Sequence, residues 1–118
     1  MFDTHPPAEK AILVGLQKPE DPDWEIHYSL DELAALADTA GVKTLDTCWQ
    51  AREKPHAGTF IGKGKVEEVR LLAEELDADV VIFDTELTPA QLKNLEKAIE
   101  RQVMDRSDVI LVIFSERA

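Results

Sequence analysis

The sequence predicts an α/β fold: a single small domain with a mostly parallel β-sheet of about four strands, helices on both faces, and a C-terminal helix cut short. Short continuous apolar runs of strand length alternate with longer stretches of helical periodicity. The connections between the apolar runs are long enough for right-handed crossovers, which favours parallel strands. At 118 residues the chain can build one hydrophobic core but not two.

Ala11 to Leu16 is an unbroken apolar run, as expected of a strand covered on both faces. Pro19 and Pro22 mark the polar stretch after it as irregular. Ser29, with Glu32 three residues on, has the spacing of a capping box and predicts a helix start. Leu30, Leu33, Ala34 and Ala37 then line one helical face, with Leu36 and Ala40 at its edge, and Gly41 supplies a stop. Val42 to Gln50 reads as a second strand, Arg52 to Thr59 as a polar loop, and Phe60-Ile61 as a brief extended segment.

From about Lys65 to Leu76 a second helix is predicted, with Val66, Val69, Leu72, Ala73 and Leu76 inward and Glu67 and Glu68 in its first turn. Val80 to Phe83 reads as a buried strand. Thr88, Pro89 and Gln91 give an N-cap, a first-turn proline and a capping box to a third helix, whose stripe is Leu92, Leu95 and Ile99. Gln102 to Asp105 is a short last strand. Asp108 to Phe114 has strand propensity, yet it follows Ser107, a good N-cap, and ends in residues that suit a helix. Its helical pattern runs to the last residue without a stop signal, as at the edge of a fragment. The predicted divisions are a tail over 1–10, the α/β domain over 11–106, and the start of a helix over 107–118.

The formal net charge is −11, which opposes non-specific adhesion to nucleic acid or anionic lipid, so any contact with RNA requires a local basic patch. One candidate exists: Arg52, Lys54, Lys63, Lys65 and Arg70 stand with His56 against only Glu53, Glu67 and Glu68. Solvated loop charge is the plain alternative. No apolar run approaches the about 20 residues needed to span a bilayer. Cys48 is the single cysteine, which rules out an intramolecular disulfide and suits a reducing cytosol.

The segment Gly58-Thr59-Phe60-Ile61-Gly62-Lys63-Gly64-Lys65 precedes a helix, where backbone N–H groups and the dipole can hold phosphate. It is not a Walker A loop, because one residue too many separates Gly58 from Gly64-Lys65 and Val66 stands where Ser or Thr must hold magnesium. It is not a dinucleotide fingerprint either, since Glu67 replaces the third glycine. A phosphate cradle, a structural turn and a partner-contact loop all remain compatible with it. Asp84, Glu86 and Asp105 fall at strand ends, where a magnesium site is conceivable and turn capping is the commoner use. His5, His27 and His56 show no ligand spacing, Cys48 reads as a structural thiol, and no Gly-x-Ser-x-Gly elbow is present. Trp24 and Trp49 fit either an interface or packing beneath a loop. No set of catalytic residues emerges.

Taken together, Ala11–Leu16, Ser29–Gly41, Thr59–Glu68, Asp79–Glu96 and Asp105-Arg106-Ser107 resemble, in order and spacing, the N-terminal domain of the HflX family of ribosome-associated GTPases. The resemblance runs from about Ala11 to Ala118, with Asp79–Glu96 its most specific stretch. Val112 departs from it, standing where the family pattern has an aspartate. The resemblance implies a parent protein in which this domain precedes a helical hairpin and a P-loop domain that binds GTP and magnesium. Residues 107–118 would lead into that hairpin. It further implies a cytoplasmic protein associated with the large ribosomal subunit in ribosome splitting or rescue. The GTPase motifs are absent from this sequence, so GTP hydrolysis is expected of the parent's P-loop domain, and this domain is expected to be non-enzymatic and without a cofactor of its own. On that expectation Arg52, Lys54, Lys63 and Lys65 contact rRNA phosphates, while Gly62 and Gly64 permit close backbone approach. The alternatives are an accessory ATP- or GTP-binding domain using the same glycine loop, and a structural brace for the hairpin.

Overall fold

The structure, a computed structural model, describes residues 9–117, and side chains as far as Ser115. The sequence-predicted tail lies outside the described residues except for Glu9 and Lys10, as does His5. Eight elements follow in strict alternation: β1 (Glu9–Gln17), α1 (Asp23–Thr39), β2 (Val42–Ala51), α2 (Lys63–Leu76), β3 (Val80–Phe83), α3 (Pro89–Ile99), β4 (Gln102–Asp105) and α4 (Arg106–Arg117). The four strands form one parallel sheet in the order β2-β1-β3-β4.

The two central strands explain why their sequences are apolar throughout. Ala11 to Val14 and Val80 to Phe83 are all buried, and alternate residues serve opposite faces. Ile12, Val14, Val81 and Phe83 meet α2 and α3 through Val66, Val69, Ala73, Leu95 and Ile99. Ala11, Leu13, Val80 and Ile82 meet α1 and α4 through Ile26, Leu30, Leu33, Ala37 and Val109. The fold is doubly wound, with its strand order reversing between β1 and β3. Gly15 marks the tightest fit, because a Cβ there would lie 2.5 Å from the Ile26 Cδ1 atom and 3.2 Å from the Asp84 carboxylate. Val112 is partly buried against the α1–α4 core, so the valine adds apolar cover to it.

The edge strand β2 slips register by one residue beside Ala11–Ile12, leaving Leu45 as a bulge. That bulge, with exposed Lys43 and Asp46, blunts an edge otherwise open to strand addition.

The caps differ from expectation in three places. α1 begins at Asp23 rather than Ser29, because Ile26 extends the buried stripe of Leu30, Leu33 and Ala37 by one turn. Ser29 therefore lies inside the helix, and its hydroxyl donates to Asp84 Oδ2 at 2.9 Å. α2 begins at Lys63, which moves Glu67 and Glu68 into its second turn and leaves the first without acid. α4 is a helix as Ser107 suggested, but Asp105 performs the capping. Its carboxylate accepts from the Asp108 N–H at 3.0 Å, and Asp108 accepts from the Asp105 N–H at 3.1 Å. The predicted capping box of α3 is present, with Thr88 Oγ1 accepting from the Gln91 N–H at 3.1 Å and Gln91 Oε1 from the Thr88 N–H at 3.0 Å.

Candidate functional site

The glycine segment closes into a compact loop instead of the extended piece expected at Phe60-Ile61. His56 and Phe60 exchange both backbone hydrogen bonds, each 2.8 Å long. Phe60 is thereby held at a φ of 66°, an uncommon conformation for a bulky residue. Its buried ring compensates by packing edge-on against Phe83, centroids 5.9 Å apart. The His56 ring pins the turn, its Nδ1 accepting from the Gly58 N–H at 3.1 Å and the Thr59 N–H at 3.4 Å. From α3, the Gln91 amide donates to the carbonyls of His56 and Ala57, and Asn94 donates to that of Gly58. Sequence reasoning passed over Gln91 and Asn94 as loop anchors, because their partners lie more than thirty residues away.

The loop delivers the chain to Gly62, the N-cap of α2, which has no side chain to satisfy the helix's free N–H groups. Gln50, at the end of β2, accepts the Gly62 N–H at 2.8 Å. A Cβ on Gly62 would come within 2.7 Å of the Arg52 guanidinium, so the glycine leaves room for that side chain to lie across the helix end. Gly64 is different: it is exposed, and a Cβ there would meet nothing within 4 Å. Packing does not require glycine at this position, and intrinsic helix propensity disfavours it.

Of the four predicted cations, Lys63 and Lys65 lie in the first turn of α2, Arg52 reaches across to Gly62, and Lys54 stands in the loop that Arg52 braces. Lys54 and Lys63 are exposed and make no ion pair among the described residues. Arg52 is half-buried and structural, its Nε donating to the Lys54 carbonyl at 3.0 Å. Lys65 is engaged with Glu68 at 2.5 Å. Arg70, further along α2, is bound by Glu67, Glu74 and Glu100 and takes no part. Exposed cationic side chains beside unsatisfied backbone N–H groups form a surface that suits an anion such as a phosphate.

The acids at the strand ends hold the fold together. Asp105 caps α4 and accepts from the Leu87 N–H at 3.0 Å, while Glu86 accepts from the Ser107 hydroxyl at 2.8 Å. Burial raises the Asp84 pKa against the opposing pull of its Ser29 hydrogen bond and of Arg106. Among the described residues, no group of three or more His, Cys, Asp or Glu could hold a metal ion. Burial likewise pushes the Cys48 thiol up to about 11, the reverse of an activated nucleophile.

A crevice of about 400 Å³ lies where the strand order reverses, lined by Leu16, Lys18, Pro55, Phe60, Thr85, Glu86 and Gln91. Ligands of open α/β sheets bind at such switch points. No helix among the described residues is long and apolar enough to cross a membrane.

A family profile described as "GTP-binding GTPase N-terminal" matches residues 27–115. The chain is 48% identical over 110 residues to the GTPase HflX of Lacrimispora saccharolytica, covering 93% of this chain and 26% of that protein. It is 40% identical over 118 residues to the GTPase HflX of Escherichia coli, covering all of this chain and 27% of that protein. The chain thus spans about a quarter of the length of these curated relatives. Among solved structures, the SsGBP–GDP complex is similar with a TM-score of 0.69 at 18% identity, over 92% of this chain and 30% of that one. A GTP-binding protein from the hyperthermophilic archaeon Sulfolobus solfataricus, in complex with GDP, gives 0.66 at 18% identity, over 91% and 30%. At such identities the likeness to solved structures is one of fold.

Proposed function

The chain belongs to the GTP-binding GTPase N-terminal family, as the N-terminal domain of an HflX-type protein, and from that premise we propose that it is the module by which a cytoplasmic GTPase docks on the large ribosomal subunit. The parent would split or rescue ribosomes, with GTP and magnesium held in a P-loop domain outside this chain. The domain itself contributes contact rather than catalysis.

The observation that carries the reading is the N-terminus of α2. Its first turn has no acid, no side chain caps it, and exposed Lys63 and Gly64 form its tip. Gly64 has no packing role, so its lack of a side chain favours close approach by a partner from outside. An RNA backbone meets such a surface through its phosphates, with Lys54 and Lys63 as direct contacts and Arg52 holding the loop in shape. Lys65, already paired with Glu68, contributes less. Co-sedimentation with purified large subunits at low and moderate salt tests this, with Lys54→Ala/Lys63→Ala as the variant.

The crevice at the strand-order reversal supports a second reading, an accessory nucleotide site. Against it stand Glu86 in the lining and the acidic first turn of α1, which repel phosphate.

A further inference from the structure

We propose that the outer face of α1, together with Trp49 of β2, is a docking surface for an arginine- and lysine-rich segment of a protein partner. Trp24 and Tyr28 are 65% and 62% exposed, and their rings meet edge-on with centroids 6.3 Å apart. They stand one turn apart on the helix, so both project from the same ridge. Trp49 is 38% exposed and packs edge-on against His27 at 4.7 Å, extending aromatic surface from the helix onto the edge strand. Ile26, Leu30, Leu33 and Ala37 seat the helix firmly in the core, and Gly15 lets it approach β1 closely. None of the three exposed rings belongs to either core cluster. Contiguous exposed aromatic surface of this kind marks an interaction site.

The charge around the rings selects the partner. Seven carboxylates and no lysine or arginine lie between Lys18 and Lys43. Of those on α1, Glu32 is bound by Arg106 at 2.6 Å, whereas Asp23, Glu25, Asp31 and Asp38 make no ion pair among the described residues. Asp23 accepts only a neutral hydrogen bond, from the Gln17 amide at 3.0 Å.

Aromatic rings alone would suit nucleic-acid bases, but the surrounding acid repels the phosphates that must accompany them. A second copy of the chain would bring the same negative face against itself. Guanidinium and ammonium groups satisfy both features, lying over the ring faces while pairing with the carboxylates at the rim.

The test is calorimetric titration with nona-arginine, which has no aromatic residues of its own, at low and moderate salt. Because a chain this acidic attracts any polycation, the deciding variant is Trp24→Ala/Tyr28→Ala, which leaves the charge unchanged and whose fold is checked by circular dichroism. The expected result is saturable one-to-one binding, at least about tenfold weaker in that variant. Asp31→Asn, which keeps the rings, is expected to weaken binding less and to reduce its salt dependence. Equal affinity of wild type and the aromatic variant would reduce the effect to bulk acidity and overturn the proposal. So would binding of a single-stranded RNA oligomer that the aromatic variant loses, or self-association that the variant abolishes.

Discussion

The N-termini of α1 and α2 stand at the same edge of the sheet, after the carboxyl ends of β1 and β2, and neither N-cap residue, Pro22 or Gly62, offers a side-chain hydrogen bond to the helix. Both ends present the positive pole of a helix and free N–H groups, although in α1 the Glu25 N–H already donates to the Pro22 carbonyl. The first turns differ in charge. α1 opens with Asp23 and Glu25, whereas α2 opens with Lys63, Gly64 and Lys65 and no acid. One helix end is neutralised by its own carboxylates and surrounded by exposed aromatic rings. The other is left open to an anion and flanked by cations. A helix N-terminus is therefore only a tendency toward anion binding, and the side chains of its first turn decide what it attracts.

The contrast can be broken most severely at the seat of α1. Gly15→Val pushes against Ile26, Leu30 and Asp84 and is expected to destabilise the fold by about 2–3 kcal/mol, read from the urea midpoint. A shift of a few tenths would mean that the close approach of α1 to β1 has little consequence.

At the tip of α2 the comparison sharpens in the opposite direction. Gly64→Ala is expected to stabilise the fold by about 0.5–1 kcal/mol, because alanine suits a helix and has open space there. Subunit binding should weaken in the same variant. If stability rises while binding is unchanged, close backbone approach at Gly64 is wrong.

The smallest effect concerns Asp84, which ties α1 to the end of β3 through Ser29. Burial raises its folded pKa above the ordinary value of 3.8, so the folded state holds this proton more tightly than the unfolded one. Its contribution to stability is fully present below that ordinary value and is lost as pH rises through the folded pKa. The stability of Asp84→Asn relative to wild type should therefore increase with pH across that window, measured by urea titration. A difference independent of pH would place the Asp84 carboxyl in water.

Much of this architecture was legible because Ala11–Leu16 of β1 and all of β3 are unbroken apolar runs, which only strands covered on both faces require. The capping box at Thr88–Gln91 was readable for a similar reason, since its partners are three residues apart. The start of α1 was not. The Ser29–Glu32 pattern imitates a local cap, while both side chains are engaged by distant groups, Asp84 and Arg106. The basic cluster around Gly62 was visible as composition, yet its division of labour was hidden. Only the folded loop distinguishes exposed Lys54 and Lys63 from Arg52 lying across Gly62 and Lys65 held by Glu68. The left-handed turn at Phe60 was illegible too, because the bonds to His56 and the packing on Phe83 that enforce it are tertiary.

Co-sedimentation with large ribosomal subunits tests the central claim most directly. The predicted result is salt-sensitive pelleting that falls at least about tenfold in Lys54→Ala/Lys63→Ala and only slightly in Lys65→Ala. Pelleting indifferent to Lys54 and Lys63, or none at either salt, would contradict a docking role for the glycine loop. The exposed Leu111 and Phe114 of α4 would then be the better guide to how this domain works, as a brace for neighbouring helices.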